Sequence, residues 1–452
     1  MWGGSRPTGC QTKTTGISHI EPKIIPRSEH SISRAYIDSN AVKVLYRLKD
    51  ANYAAYLVGG GVRDLLLGRE PKDFDVATDA RPEEIRAEFK NCRLVGRRFR
   101  LAHVMFGREV VEVATFRAAP TPDDGGLDDE ERGPLLRDNV YGTLEEDAWR
   151  RDFTVNALYY DIRDFSVVDY TGGLADLNAG VLRLIGDDPA LRYREDPVRM
   201  LRAVRFAVKL GFRIDAKTEA PIAELGHLLA DIPAARLYEE VLKLFMAGYA
   251  LQTFERLRHY NLFRYLFPAT DALLAVEENH FPHLFLSHAL RNTDSRIAED
   301  KPVAPAFIFA ALLWDPVRHE VNERMAQGVS EIDAWQQASD TVVQRQVAAV
   351  SLPKRFTIPM REIWLLQARL QNIGGRRPVR LMEHPRFRAA YDFLLLRAQA
   401  GEAVGELAQW WTRFQAMNES ERSQLLSAPA SKGPRRVRSK RRRVTPKHAD
   451  AP

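Results

Sequence analysis

The stretch LVGGGVRDLLLGREPKDFDV, residues 57–76, decides the fold of the first part of the chain. Its apolar start predicts a strand, three successive glycines end that strand, and the apolar run after them predicts a short helix. A second short strand is expected at Phe74 and Val76. Two more strands, Leu101–Phe106 and residues 110–116, follow with hairpin-like spacing. Strands and short helices in this order indicate a mixed α/β unit.

Helical periodicity governs most of the remaining sequence. Apolar residues recur at helical spacing within residues 34–50, which predicts a helix there. From Leu191 onward the pattern is mostly amphipathic helix, interrupted by proline and glycine. Residues 1 to about 30 look irregular and are expected to contribute no core. An α/β part of roughly 120 residues therefore precedes a long all-α part.

The basic charge of the chain is concentrated at its end. Lysine and arginine number 66 and acidic residues 60, a net charge of +6. Residues 432–452 hold nine of the bases and one acid, so the rest of the chain is slightly acidic. Such a block cannot bury itself and is expected to be disordered. An arm that holds a polyanion such as nucleic acid is favoured over a merely solvated tail or a membrane-surface contact.

Composition excludes several classes of protein. The longest apolar run, residues 306–314, is too short to cross a bilayer, so no integral membrane segment is expected. The first residues lack the hydrophobic region of a secretory signal. Two cysteines, Cys10 and Cys92, exclude a disulfide scaffold and a cysteine-rich zinc module. A reducing cytoplasm is the expected compartment.

Two aspartates close to the glycine run are candidate metal ligands. Asp73 and Asp75 flank Phe74, and residues i and i+2 of a strand share a face, so both carboxylates are expected to project together while Phe74 enters the core. Neighbouring carboxylates repel each other unless a cation lies between them, and magnesium prefers oxygen ligands. In isolation, however, Asp-x-Asp pairs are also common on loops.

Glu112 stands within the apolar sequence VVEVA, where a carboxylate needs a partner. A salt bridge to Arg117 or Arg63 would satisfy it. The alternative is that Glu112 is a third ligand for metal ions held by the two aspartates.

Three further segments are candidate nucleotide contacts. The glycine run suits close approach of backbone N–H groups to phosphate, but it matches neither a dinucleotide fingerprint nor a P-loop, so a plain tight turn stays open. RRDFTVN, residues 150–156, offers arginine for phosphate and Asp or Asn for ribose, or only a helix cap and surface charge. In EDPVRMLR, residues 195–202, Glu195 and Arg199 form an i,i+4 ion pair or, with Asp196, read a base edge.

A cluster of arginines between Gly375 and Tyr391 is a second candidate RNA-binding surface beside the tail, unless these are ordinary exposed arginines. The residues predicted to bind RNA are Arg376, Arg377 and Arg380 in the cluster, and Arg435, Arg436, Arg441, Arg442 and Arg443 in the tail.

Together and in this order, the segments resemble class II nucleotidyltransferases, the bacterial poly(A) polymerases and CCA-adding enzymes of the polymerase beta superfamily. The resemblance rests on the first stretch together with EVATFR, RRDFTVNALYYD, DYTGGLADL and RYREDPVRMLRAVRFAVKLGF, between Leu57 and Phe212. LVGRRFRLAHVMF, IPRSEHSISR, HPRFRAAYDFLLLRA and the basic tail are similar to the poly(A) polymerase branch.

The resemblance implies a role for each candidate residue. Two magnesium ions, with manganese as an alternative, would be bound by Asp73 and Asp75, with Glu112 as the third carboxylate. The implied nucleotide contacts are Gly59, Gly60 and Arg63 at the triphosphate, Arg151 at phosphate, Asp152 and Asn156 at the ribose, Glu195, Asp196 and Arg199 at the base, and Arg202 beside them.

The resemblance also implies the fold and the activity. The expected fold is α+β, with a polymerase-beta-like mixed head followed by an all-α remainder. The implied domains are an N-terminal extension (1–33), a catalytic head (34–170), a helical neck that recognises the base (171–250), a helical RNA-binding body (251–430) and a disordered basic tail (431–452).

The implied reaction is template-independent transfer of AMP from ATP to RNA 3′ ends, with release of pyrophosphate. The implied partners are mRNA fragments, small structured RNAs and the RNA decay machinery, and a monomer is expected. A CCA-adding enzyme using CTP and ATP, and a non-catalytic RNA-binding protein, are the alternatives.

Overall fold

The computed structural model describes residues 21–96, 100–118, 140–275 and 284–427. The described residues divide into two compact units, with the boundary between Leu266 and Phe267. The first unit has a mixed sheet followed by helices, and the second is helical. This confirms the α+β class. The basic tail lies outside the described residues.

The strands of the first unit form two sheets. They are β1 Lys23–Ile25, β2 Ala55–Val58, β3 Asp75–Thr78, β4 Cys92–Val95, β5 Leu101–Phe106, β6 Glu109–Thr115, β7 Leu158–Asp161, β8 Val167–Asp169, β9 Val181–Leu182 and β10 Arg213–Ile214. Among the described residues, eight of them form one sheet in the order β1-β8-β7-β2-β3-β6-β5-β4. Neighbouring strands are antiparallel except β3 and β6, which are parallel. A second, two-stranded parallel sheet pairs β9 with β10.

The helices of the first unit are α1 Ser39–Asp50, α2 Gly60–Leu66, α3 Pro82–Glu88, α4 Leu144–Arg150, α5 Gly173–Ala179, α6 Pro189–Glu195, α7 Val198–Leu210, α8 Ala216–Glu219, α9 Ile222–Leu225, α10 Ala234–Phe245, α11 Ala250–His259 and α12 Phe263–Leu266. Helix α2 is the short helix after the glycine run, and α7 is the helix after the EDP sequence.

The predicted helix at residues 34–50 is shorter than expected. Asp38 accepts hydrogen bonds from the backbone N–H groups of Asn40 and Ala41, so it caps α1, which begins at Ser39. Residues Arg34–Tyr36 instead form a separate 3₁₀ turn. The predicted apolar face is buried against the sheet.

Two sequence-based expectations about strands are wrong. Residues before 30 do contribute core, because β1 pairs with β8 and Ile25 is only 1% exposed. The partner strand lies about 140 residues away, so a three-residue local pattern could not reveal it. The strand expected at Phe74 begins at Asp75, and Phe74 is half-buried rather than in the core.

The helices of the second unit pack around buried tryptophans. Trp314, Trp364 and Trp411 are fully buried, and each indole N–H has an acceptor, respectively Glu402 Oε1, the Ala310 carbonyl and the Leu370 carbonyl. The helices are α13 Pro268–Leu274, α14 Leu284–Ala298, α15 Pro305–Leu312, α16 Trp314–Ala326, α17 Glu331–Ala349, α18 Lys354–Leu370, α19 Arg377–Met382, α20 Phe387–Gln399, α21 Gly405–Ala416 and α22 Glu419–Ser427.

No helix in the part of the chain that the structure describes combines the length and apolar character needed to span a membrane.

Candidate active site

The glycine turn between β2 and α2 forms one side of the site. Gly59 has φ 73° and ψ −133°, a conformation that only glycine adopts readily. A Cβ atom on Gly59 would lie 3.7 Å from Nη1 of Arg151, so the turn and that guanidinium are neighbours. A Cβ on Gly60 would lie 3.5 Å from Arg63 Nη2. The sequence feature thus corresponds to a tight turn beside two arginines.

Strand register brings the predicted carboxylates together. Val58, the last residue of β2, pairs with Asp75, the first residue of β3. Asp75 in turn pairs with Glu112 on the parallel strand β6. Asp73 lies two residues before the start of β3, and all three carboxylates line one cavity of about 1460 Å³. The three acids therefore share one open space beside the glycine turn.

Asp75 is electrostatically the most perturbed of the three. Partial burial, followed by the negative charges of Glu112 and Asp73, raises its pKa to about 6, although Arg151 opposes the shift. Raised carboxylate pKa values of this origin are typical of sites that bind cations or protons.

Glu112 is less buried than its apolar neighbours suggest. The side chains of β6 alternate, and Glu112 lies on the open face with half of its side chain exposed. Its Oε1 atom is 3.5 Å from Nε2 of His103 on the adjacent strand β5. The salt bridge to Arg63 considered above is not the arrangement found, since Arg63 pairs with Asp64.

The three carboxylates fit a divalent cation whose coordination shell is completed by the substrate. In the described ranges, no three acidic, histidine or cysteine side chains converge tightly enough to form a ready-made metal centre. Magnesium, however, usually takes only one or two protein carboxylates and completes its shell with water and substrate phosphates. Such a cation would relieve the repulsion between Asp75 and its neighbouring carboxylates, and it would occupy part of the open cavity.

Arg63 lies inside the protein and not in this cavity. Its side chain is 2% exposed. Its Nε donates to Asp64 Oδ1 at 2.8 Å, and its Nη1 donates to Asn156 Oδ1 at 2.5 Å. The contacts seen here position Asn156, while the predicted contact with a triphosphate stays a prediction.

Arg151 is held by two residues that the sequence reasoning missed, Asp147 and Tyr159. Arg151 donates to Asp147 Oδ2 from Nε at 3.1 Å and from Nη2 at 2.8 Å, and Tyr159 donates to the same oxygen at 2.8 Å. Burial alone would lower the pKa of Arg151, but Tyr159 and Asp147 outweigh it and raise that pKa. The i,i+4 spacing of Asp147 and Arg151 was the signal that could have found this pair.

Asp152 forms a second network with Asn156 and Arg202. Asn156 Nδ2 donates to Asp152 Oδ1 at 3.2 Å, and Arg202 donates to Oδ2 from Nε at 2.7 Å and from Nη2. Burial would raise the pKa of Asp152, but the charge and hydrogen bonds of Arg202 outweigh burial and lower it. The three predicted nucleotide contacts are therefore one connected cluster, with Asp152 ionised.

Glu195 and Arg199 form the i,i+4 ion pair that the sequence left open, at 3.0 Å. Glu195 Oε2 also accepts from Arg192 Nη1 at 2.8 Å, and Arg192 Nη2 donates to the Arg151 carbonyl at 2.7 Å. Asp196 accepts from Arg236 Nη2 at 2.7 Å. The Glu195–Arg199 ion pair is compatible with base recognition. Arg192 connects Glu195 to the backbone of Arg151, so the polar groups of this segment are held in place.

Comparison with known proteins identifies the family. Family models described as "Poly A polymerase head domain", "Probable RNA and SrmB- binding site of polymerase A" and "Polymerase A arginine-rich C-terminus" match residues 55–183, 211–274 and 327–446. Poly(A) polymerase I of Salmonella typhi is 51% identical over 432 residues, which cover 94% of this chain and 92% of that protein. The chain belongs to the poly(A) polymerase family.

CCA-adding enzymes are less similar to this chain than the poly(A) polymerase just described. That of Lactobacillus helveticus is 40% identical over 215 residues, but these are only 48% of this chain and 52% of that enzyme. The crystal structure of the Bacillus stearothermophilus CCA-adding enzyme in complex with CTP covers 89% of this chain and 90% of its own, with a TM-score of 0.55 and 26% identity. The fold is thus shared along the chain, whereas close sequence similarity to that branch covers half of it.

The predicted RNA-binding arginines of this poly(A) polymerase family member lie in the region matched by the arginine-rich model. Arg376, Arg377 and Arg380 are exposed, and within the described residues they form no ion pair. Their neighbours Arg386 and Arg388 pair with Glu362 and Asp392. The five tail arginines lie outside the described residues.

Proposed function

We propose that the protein transfers AMP from ATP to the 3′ hydroxyl of RNA without a nucleic-acid template and releases pyrophosphate. One observation carries this proposal. Asp75 and Glu112 face each other on parallel strands, with Asp73 beside them, next to a glycine turn and in an open cavity. Membership of the poly(A) polymerase family supports the same reaction.

Asp73, Asp75 and Glu112 are the residues that would hold magnesium, with manganese as an alternative. When bound, the ions would lower the pKa of the attacking hydroxyl and neutralise the charge of the leaving phosphates. The neighbouring charges of these carboxylates make this side of the site attractive to cations.

Arg151 supplies the opposite charge on the side of the glycine turn. Asp147 and Tyr159 engage its Nε and Nη2 atoms, which leaves Nη1 near Gly59 to contact phosphate. Asp152 and Asn156 offer an ionised acceptor and an amide to the ribose hydroxyls. Gly60 completes the turn, and Arg63 and Arg202 hold these groups in position.

Glu195, Asp196 and Arg199 would select the base by hydrogen bonding. Their acceptors and donors are already fixed by Arg192 and Arg236, so little ordering is needed when ATP binds. A site built to match one base edge rejects bases that leave its polar groups unpaired.

The arginines of α19 and the basic tail would bind the RNA beyond its 3′ end. We further propose the domain division at residues 33, 170, 250 and 430, a cytoplasmic location, and a role in RNA processing and decay with the decay machinery as a partner. mRNA fragments and small structured RNAs are the proposed substrates.

The test is an extension assay with a labelled RNA, a magnesium salt and each nucleoside triphosphate in turn. Long products with ATP alone support the proposal. Addition of CTP and ATP that stops after a CCA end would identify a CCA-adding enzyme instead. Binding of the RNA without extension by any nucleotide would identify a non-catalytic RNA-binding protein.

A further inference from the structure

The cavity that contains the carboxylates has walls formed by several other segments. Across the sheet, β2 leads into the glycine turn, β3 carries Asp75, and β6 lies on the far side of β3. The cavity is lined by the segment before α1, the α2–β3 loop, the start of β6, and Arg205 and Lys243 on α7 and α10. Among the described residues, none of those proposed above to contact ATP lines this cavity.

A transfer reaction needs two substrates that meet at the same carboxylates. The proposed ATP site approaches Asp75 from the β2 side, because Gly59 follows Val58 and lies beside Arg151. The cavity reaches the same aspartate, and Glu112 on β6 forms part of its wall. This cavity gives a second substrate a route to the carboxylates.

Tyr36 presents an aromatic ring to this cavity. It is 71% exposed, whereas the next residue, Ile37, is buried and anchors the chain. The turn that carries Tyr36 is fixed, since Arg34 Nη1 donates to the Tyr46 hydroxyl at 2.7 Å and the Arg34 guanidinium lies 5.4 Å from the centre of the Phe165 ring. An exposed aromatic side chain on a fixed backbone is typical of a surface on which an unpaired base stacks.

Two exposed cations also line this cavity. Arg108 follows Gly107 in the β5–β6 turn, and Lys72 precedes Asp73; both are exposed and line the cavity. Neither forms an ion pair with any residue in the described ranges. The β5–β6 turn is tied to α1 because Asn40 Nδ2 donates to Glu109 Oε2 at 2.7 Å. Unpaired cations around an exposed ring match the alternating phosphates and bases of a single strand.

We propose that Tyr36 stacks on the base at the 3′ end of the RNA while Arg108 and Lys72 contact the adjacent phosphates. The terminal ribose then faces Asp73, Asp75 and Glu112. This inference rests on the proposed function and adds its second substrate site. Stacking requires an unpaired base but tolerates any base, so Tyr36 would hold the terminal base without selecting its identity.

The test compares Tyr36→Ala and Tyr36→Phe with the wild-type chain in steady-state extension of a single-stranded RNA by ATP. Tyr36→Ala should raise the KM for RNA about tenfold, the effect of losing one stacked base, and leave the KM for ATP unchanged. Tyr36→Phe keeps the ring and should behave like wild type. Tyr141→Ala removes another exposed tyrosine, outside the cavity, and is the matched control.

Arg108→Ala should also raise the KM for RNA and lower the salt dependence of binding by about one phosphate contact. Arg93→Ala, an exposed arginine on β4 outside the cavity, is its control. Thermal unfolding should be unchanged in all five variants because the side chains are exposed.

The inference is wrong if wild type extends RNA and Tyr36→Ala has the wild-type KM for RNA, or if the substitution raises the KM for ATP instead. In either case the proposed function stands. Failure of the wild-type chain itself to extend RNA with any nucleotide overturns the proposed function as well.

Discussion

The negative charge of Asp75 destabilises the folded protein. Because its pKa rises from 3.8 to about 6 on folding, the folded chain holds more protons than the unfolded chain between these values. Stability should therefore decrease as the pH rises through this range. The same raised pKa means that protons compete with a cation for Asp75 near pH 6.

Asp75→Asn removes the repulsion and should raise the free energy of unfolding at pH 8 by up to about 1 kcal/mol, a small gain because solvent screens charges that open onto the cavity. The gain should vanish below pH 4, where the wild-type carboxyl is also neutral. Urea unfolding at both pH values measures it, with the exposed Asp187→Asn as control. Lower stability of Asp75→Asn than of wild type at pH 8 would contradict this electrostatic account.

Asp147 has the opposite effect, because its charge is compensated. Burial would raise its pKa, but Arg151 and Arg150 outweigh burial and lower it, so Asp147 contributes stability that is present above the ordinary carboxyl pKa and lost in acid. Its side chain is 4% exposed.

Asp147→Asn leaves the Arg151 charge without its anion and should reduce the free energy of unfolding by about 3 kcal/mol. It should also raise the KM for ATP, since Arg151 loses its fixed position. Tyr159→Phe deletes the hydrogen bond that the hydroxyl donates to Asp147 Oδ2 and the one that it accepts from Arg151 Nε, and it should cost only about 2 kcal/mol, because the ion pair remains. Equal effects of the two substitutions in denaturant unfolding and ATP kinetics would show that the ion pair does not position Arg151.

At the scale of elements, the segment with Asp152 and Asn156 depends on close packing of α5. A Cβ on Gly173 would lie 2.2 Å from the Thr154 carbonyl oxygen, so only glycine permits α5 to approach the 3₁₀ turn Thr154–Asn156. The neighbouring Gly172 has φ 77° but open space around it.

Gly173→Ala should push this turn away from its position and lower kcat/KM for ATP at least about tenfold, besides destabilising the fold. Gly172→Ala should cost only the backbone strain of about 1 kcal/mol and keep the kinetics of the wild type. Steady-state extension and thermal unfolding of the two variants separate these effects. Similar kinetics in both variants would mean that the turn does not need this close approach.

Elements whose signals are local were predictable. The strand, glycine turn and helix of residues 55–66 lie in consecutive residues, and Asp73 and Asp75 are close in sequence. The pairing of Asp75 with Glu112 depends on parallel strands 37 residues apart in the chain, so the sequence alone left open whether Glu112 joins the aspartates. The burial of Arg63 depends on Asn156, which lies 93 residues away, and no local pattern reports that contact.

At the scale of the whole molecule, the basic residues at the end of the chain set the predicted response to salt. Residues 432–452 hold nine lysines and arginines and one acid, whereas the rest of the sequence is slightly acidic. Phosphate contacts release counterions, so RNA affinity should decrease steeply with salt concentration.

Deletion of residues 432–452 should weaken RNA binding and flatten the dependence of the logarithm of the affinity on that of the salt concentration. A variant of equal length with these bases changed to glutamine separates charge from chain length and should match the deletion. Binding measured by fluorescence anisotropy over a salt series tests this. An unchanged slope would remove the tail from RNA binding.

We propose that Asp73, Asp75 and Glu112 serve AMP transfer and not RNA binding. The most direct measurement compares the wild-type chain with Asp73→Ala/Asp75→Ala in single-turnover transfer of AMP to a labelled RNA, and in the affinity of each for that RNA. Transfer should decrease about 10³-fold or more, while RNA affinity stays equal or increases because negative charge is removed. Transfer by the double variant at the wild-type rate would contradict the account.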